Sequence, residues 1–175
     1  MSPTLKKEPS LPEPWLRGTL GEVPAVARAV LHALELARED LQKWCGELTD
    51  DELSACPADL PPVAFHLRHI ARRIDRLLTY AEGGELTGEQ IAALRNELES
   101  GARPGEVFAE LRDGLKRGAA RVRILSQKDL SEPRLVGKKQ LPTSLAGLLV
   151  HVADHTQRHV GQAVTTAKIV MSLRK

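Results

Sequence analysis

Hydrophobic positions along this chain recur at alternating steps of three and four over most of its length. Between Glu22 and Leu48 they fall at Val23, Val26, Val30, Leu34, Ala37, Leu41, Trp44 and Leu48. That spacing gathers them on one face of a helix of about seven turns. His32 lies off the stripe and is expected in solvent. A connector follows from Thr49 to Pro62, with a short helical turn expected around Asp51 to Ala55. Pro62 suits the first turn of a second helix, where its missing N–H costs little. This helix runs to Glu82 on a seam of Val63, Leu67, Ile70, Ile74, Leu77 and Ala81, and Gly83-Gly84 stops it.

Thr87 with Gln90 three residues later forms a capping box, opening a shorter helix to Ser100. Its charge pattern predicts a surface lid rather than a core member. A further helix spans Pro104 to Ser126 on Val107, Leu111, Leu115, Val122 and Leu125. Gly114 and Gly118 interrupt it at about 1 kcal/mol each against alanine, which close helix packing or a kink would explain. Gln127 to Thr143 contains Pro133, Gly137 and Pro142; it is compatible with a partly extended connection and at most a trivial strand, with too little alternation for a sheet. Thr143 or Ser144 then caps the last helix, Ser144 to Leu173.

Residues 1–21 carry Pro3, Pro9, Pro12 and Pro14 without sustained periodicity, so they read as a proline-rich N-terminal arm. Trp15 and Leu16 are expected to dock it onto the body. Residues 22–175 form one domain. The predicted fold is all-α, a four-helix bundle with a short extra helix between helices two and three; its up-down order stays open.

A length of 175 residues suffices for one core, and 42% hydrophobic with 27% charged residues indicates a soluble globular protein. A net charge of +2 gives no electrostatic argument for nucleic acid, and no stretch interleaves basic with aromatic residues. No apolar run reaches transmembrane length, and the N-terminus lacks the regions of a signal peptide. Cys45 and Cys56 suggest no disulfide framework. The expectation is a cytoplasmic protein without nucleic-acid or membrane partners.

The last helix changes the picture. Its inward seam reads Leu145, Leu148, Val152, His155, His159, Gln162, Thr166, Ile169: mostly apolar at the ends, imidazole and amide in the middle. Residues four apart on a helix stand about 5–6 Å apart at Cβ. Two imidazoles so placed can share one metal ion at about 2.0–2.1 Å from each nitrogen. A lone histidine on an inner face is more often a hydrogen-bonded core residue. Two on one seam each need a partner, and a second cluster, His66/His69, lies on the second helix. Helices of a bundle can converge such side chains on one interior point. Two ligands from the last helix and one from the second would leave an open position, as catalytic metals do and closed structural zinc does not. His151, one step off the seam, is a flanking residue or alternative ligand.

His155-Thr-Gln-Arg-His159-Val-Gly-Gln162 resembles the His-x-x-x-His followed by Gly-Gln of the DinB/YfiT-like family of metal-dependent four-helix bundles. Pro62-Val-Ala-Phe-His-Leu-Arg-His69-Ile-Ala71 resembles that family's second-helix motif, a ligand histidine followed by an apolar residue and often alanine. The resemblance covers about Glu22 to Met171. For the third ligand two arguments differ. Periodicity places His66 about 60° from the apolar seam and His69 about 120° away, whereas the family register matches His69 and makes His66 a flanking residue or alternative ligand. The register is preferred, giving His69, His155 and His159.

The resemblance further implies a divalent ion (nickel, zinc or similar) on three ligands plus water, and a homodimer. It also implies kinship with thiol-dependent transferases and isomerases that use low-molecular-weight thiols. The leading functional expectation is therefore a thiol-S-transferase-like metalloenzyme acting on a small-molecule substrate the sequence does not name. Arg68, Arg72 and Arg158 would suit an anionic thiol, and equally fit an ordinary solvated helix face. A non-catalytic metal-binding or dimerising protein ranks second. A metal-dependent hydrolase ranks third, with Asp75 and Asp154 as the only nearby carboxylate bases.

Overall fold

The computed structural model describes residues 11–97 and 103–174. Its elements are α1 (Ala25–Cys45), α2 (Asp50–Ser54), α3 (Val63–Ala81), α4 (Gly88–Arg95), α5 (Pro104–Leu125), β1 (Pro133–Val136), β2 (Leu141–Ser144) and α6 (Leu145–Ser172). The four long helices close into a ring: α1 packs on α6 and α5, and α3 packs on α5 and α6. The chain is thus an α-helical bundle whose second and last long helices lie side by side. Among the described residues no helix is long and apolar enough to cross a membrane.

Each long helix exists because one stripe of it is buried. The predicted α3 seam of Val63, Leu67, Ile70, Ile74, Leu77 and Ala81 is inside throughout, as are Val30, Leu34, Ala37 and Leu41 of α1. Truncating one of these leucines to alanine typically costs about 2–5 kcal/mol. The capping boxes Thr49/Glu52 and Thr87/Gln90 start α2 and α4, and Ser144 caps α6 by accepting from the Gly147 N–H. α4 buries none of its side chains, consistent with a lid. Its predicted extension to Ser100 passes into residues 98–102, outside the described residues.

The two glycines of α5 report close packing. A Cβ on Gly114 would stand 2.7 Å from the Ala71 Cβ, and one on Gly118 2.6 Å from the Ile74 Cγ2. The helix runs unbroken through both, so no kink accounts for them.

Other expectations are corrected. Trp15 and Leu16 do not dock: they are 61% and 57% exposed. Pro14 is the buried residue of that turn. The described part of the arm is held by Arg17, whose guanidinium donates to both carboxylate oxygens of Glu39 at 2.8 Å and to Glu35 at 3.2 Å. Pro3 and Pro9 lie outside the described residues. His32 is buried, with Nε2 3.1 Å from the Thr19 hydroxyl. Gln162 is exposed rather than on the inward seam, because the buried face of α6 continues through Val160 and Ala163.

The connection before α6 carries a small antiparallel hairpin, pairing Pro133 with Ser144 and Val136 with Leu141. Strands of four residues are too short to display period-two alternation. The hairpin is pinned instead by buried Arg134, which donates to the Ala81 carbonyl at 2.6 Å and to Glu132 at 2.7 Å. Gly137 opens its turn at φ +71°, a conformation that favours glycine.

Candidate metal centre

α3 presents two faces to the bundle. Beside its apolar seam runs a polar stripe, and at its α6-facing edge stand His66 and His69. α6 answers with His155 and His159, one turn apart. Because α3 and α6 pack directly, the rings meet: centroids lie 4.3 Å apart for His69/His159, 4.6 Å for His155/His159 and 5.0 Å for His69/His155. One nitrogen from each of the three falls within 4.8 Å of the other two. His69 and His155 point their Nε2 atoms at each other, 3.4 Å apart. Two donors about 2.0–2.1 Å from one tetrahedral ion would also stand about 3.4 Å apart. The three imidazoles therefore fit a metal ion in number, chemistry and spacing.

The Nδ1 atoms of His69 and His159 are engaged elsewhere. His69 Nδ1 lies 2.6 Å from Glu97 Oε2, and the Arg76 guanidinium donates to Glu97 Oε1 at 2.6 Å. A carboxylate accepts only, so His69 Nδ1 is the donor of this bond, and in the neutral ring Nε2 is left with the lone pair. His159 Nδ1 lies 3.0 Å from His66 Nδ1. Phe65 stacks on His69 at 5.3 Å and meets His66 edge-on at 5.2 Å, walling one side with hydrocarbon.

The electrostatics favour the neutral form of His66, His155 and His159. Burial, with neighbouring imidazoles second, holds His66 and His159 down to about 4 and His155 down to about 3. Neutral imidazole is the form that binds metals. Burial alone would raise the Glu97 carboxyl, but hydrogen bonds from His69 and Arg76 outweigh it and its pKa is lowered. Glu97 is 4% exposed and Arg76 1%.

The structure thus brings His69, His155 and His159 together and sets His66 against His159. His66 is the more buried of the two α3 histidines, as periodicity expects, yet the ring that joins the α6 pair is that of His69. His151 is half-buried and turned to Asp154 at 2.9 Å. Asp75 is bound by Arg121 at 2.7 Å and by Gln90, so neither expected carboxylate base faces the cluster. Arg72 pairs with Glu110 at 2.6 Å, and Arg68 approaches the same carboxylate at 4.0 Å. Arg158 lines a cleft of about 430 Å³ beside the cluster, together with Leu60, Pro61, His66, Gln162 and Thr166.

Glu97, Arg76 and Phe65 escape a reading of the sequence. Glu97 lies in a charged stretch where spacing distinguishes no glutamate from its neighbours. Arg76 does leave a signal: it follows His69 by seven residues, two helical turns along one face.

The chain belongs to the DinB superfamily, whose family model matches residues 33–163. A crystal structure of a conserved protein from Enterococcus faecalis has the same fold. The two share 22% sequence identity, with a TM-score of 0.60 over 84% of this chain and 98% of the other. No curated protein matches the chain.

Proposed function

We propose that His69, His155 and His159 hold one divalent metal ion, nickel, zinc or similar, and that the protein is a thiol-S-transferase-like enzyme. The observation that carries the metal reading is the approach of the three imidazole nitrogens to within 4.8 Å of one another. Three neutral donors leave a coordination position open, the arrangement of catalytic rather than structural sites. When bound, a divalent cation stabilises the deprotonated form of a thiol, or of water, placed against it.

The chain's own residues divide the remaining work. Phe65 keeps water from one side of the cluster. The adjoining cleft, about 430 Å³, is of the size that encloses small organic molecules. Arg158 gives it a positive mouth for an anionic group, Gln162 and Thr166 offer hydrogen bonds, and Leu60 and Pro61 offer apolar surface. In this reading the thiol is supplied from outside; the buried Cys45 thiol, pushed up to about 12 by burial, is far from a thiolate at neutral pH. Transfer would release the proton of the external thiol to solvent and join its sulfur to an electrophilic carbon of the substrate, whose leaving group departs with the bonding pair.

Two readings rank lower. The hydrolase loses support because Asp75 and Asp154 are committed elsewhere. The metal-binding protein without catalysis remains the alternative that experiment separates. Protein reconstituted with nickel or zinc, given low-molecular-weight thiols and alkylating electrophiles, is expected to consume thiol, and His159→Ala to lose that activity. Full metal loading without thiol consumption across the panel would leave the non-catalytic reading. A homodimer belongs to the same proposal, supported by exposed apolar side chains such as Ile124, Leu135, Leu141 and Val150; a monomer by light scattering would contradict it.

A further inference from the structure

A buried ionic line runs outward from the histidine cluster: His69 Nδ1 to Glu97 Oε2 at 2.6 Å, then Glu97 Oε1 to Arg76 at 2.6 Å. His69 and Arg76 stand two turns apart on one face of α3, and Glu97 reaches down from the segment after α4 to bridge them. Each carboxylate oxygen meets one partner, so the group cannot rotate without breaking a charge-assisted bond. Two other Arg76 nitrogens, Nε and Nη2, have no hydrogen-bond partner among the described residues. Among the described residues, then, Glu97 is the hydrogen-bonded counter-charge of a cation that is 1% exposed. An arrangement this costly in desolvation is weak ground for stability alone.

We infer that Glu97, clamped by Arg76, is the positioning residue of the metal centre. By accepting from His69 Nδ1, it fixes that ring in the tautomer and orientation that turn the Nε2 lone pair toward His155 and His159. This rests on the metal reading above. Outer partners of this kind orient ligand imidazoles and raise their basicity, and losing one commonly lowers metal affinity about 10–100-fold. The role also ties the lid to the site, since Glu97 lies two residues beyond the end of α4.

The test combines zinc affinity, measured by chelator competition, with ring-nitrogen NMR of the full chain. In wild type, His69 is expected as the Nδ1–H tautomer both without and with zinc. Glu97→Leu removes the acceptor: zinc should bind about 10–100-fold more weakly, with His69 spread over both tautomers. Glu97→Gln keeps an acceptor but not the charge and should recover part of the loss. Wild-type affinity in folded Glu97→Leu, or an Nε2–H tautomer in wild type, overturns the inference. Should Glu97→Leu fail to fold, Glu97→Gln and the wild-type tautomer still decide: zinc affinity unchanged in Glu97→Gln together with Nε2–H on His69 refutes the role. Failure of wild type to bind zinc at all overturns the metal reading itself, a different outcome from equal binding by wild type and variant.

Discussion

The Nε2 atoms of His69 and His155 face each other at 3.4 Å across the α3–α6 interface, although 86 positions separate the two residues. Nothing local brings them together. Their meeting depends on α3 and α6 being ring neighbours and on the register in which the two helices pack. A site built this way inherits its precision from the core, and its chemistry is sensitive to changes far from any imidazole.

That dependence is testable at the α3–α5 contact. Gly114 faces the Ala71 Cβ and Cα, and Gly118 faces the Cγ2 of Ile74, a β-branched residue held in one χ1 rotamer on its helix, so neither neighbour yields cheaply. Alanine at either position gains about 1 kcal/mol of helix propensity. Overpacking typically costs about 1–3 kcal/mol. Gly114→Ala and Gly118→Ala should therefore both be net destabilising in denaturant unfolding. Equal stabilisation by both would show that the helices are not in close contact there.

Acid should unfold the metal-free protein through its histidines. An unfolded histidine titrates near about 6.5, but in the fold burial holds His66 and His159 to about 4 and His155 to about 3. Below about 6.5 the unfolded chain thus binds more protons than the native one, so stability is present above that pH and lost as pH falls toward 4. Glu39, Glu52 and Glu97, whose pKa values are lowered from 4.5, add to the loss only near the acid end. Melting temperature should fall steadily from neutral pH to about 5. A flat or rising melting temperature over that range would contradict the burial of neutral imidazoles.

The flanking histidines should separate by role. His66→Ala removes the partner of His159 Nδ1 and should weaken metal binding by about 10-fold without changing its stoichiometry. His151→Ala and His32→Ala should leave affinity unaltered, since His151 faces Asp154 and His32 faces Thr19. Isothermal titration with zinc distinguishes these outcomes. Loss of stoichiometric binding in His66→Ala would make that residue a ligand.

The long helices were legible because each hides one apolar stripe, and a stripe of period near 3.6 survives in sequence whatever it packs against. The histidine pair on α6 was legible for the same reason: His155 and His159 occupy positions where the stripe calls for leucine or valine. Burial of His32 was not, since its place depends on Thr19 in the arm, a residue outside any period. Of the hairpin only a partly extended connection was legible, because its anchor, Arg134, reads as a surface charge until the Ala81 carbonyl is beside it. Glu97 escaped most completely. Its significance lies in two partners on another helix, and a single sequence records neither contact.

The central claim is that His69, His155 and His159 share one metal ion. Its most direct test is the metal content, by elemental analysis after reconstitution and dialysis near neutral pH, of wild type and of the His69→Ala, His155→Ala and His159→Ala variants, each shown to be folded. One ion per wild-type chain, and none retained in any of the three variants, is the expected result. Full metal content in both His155→Ala and His159→Ala would contradict it and leave the cluster as a polar core.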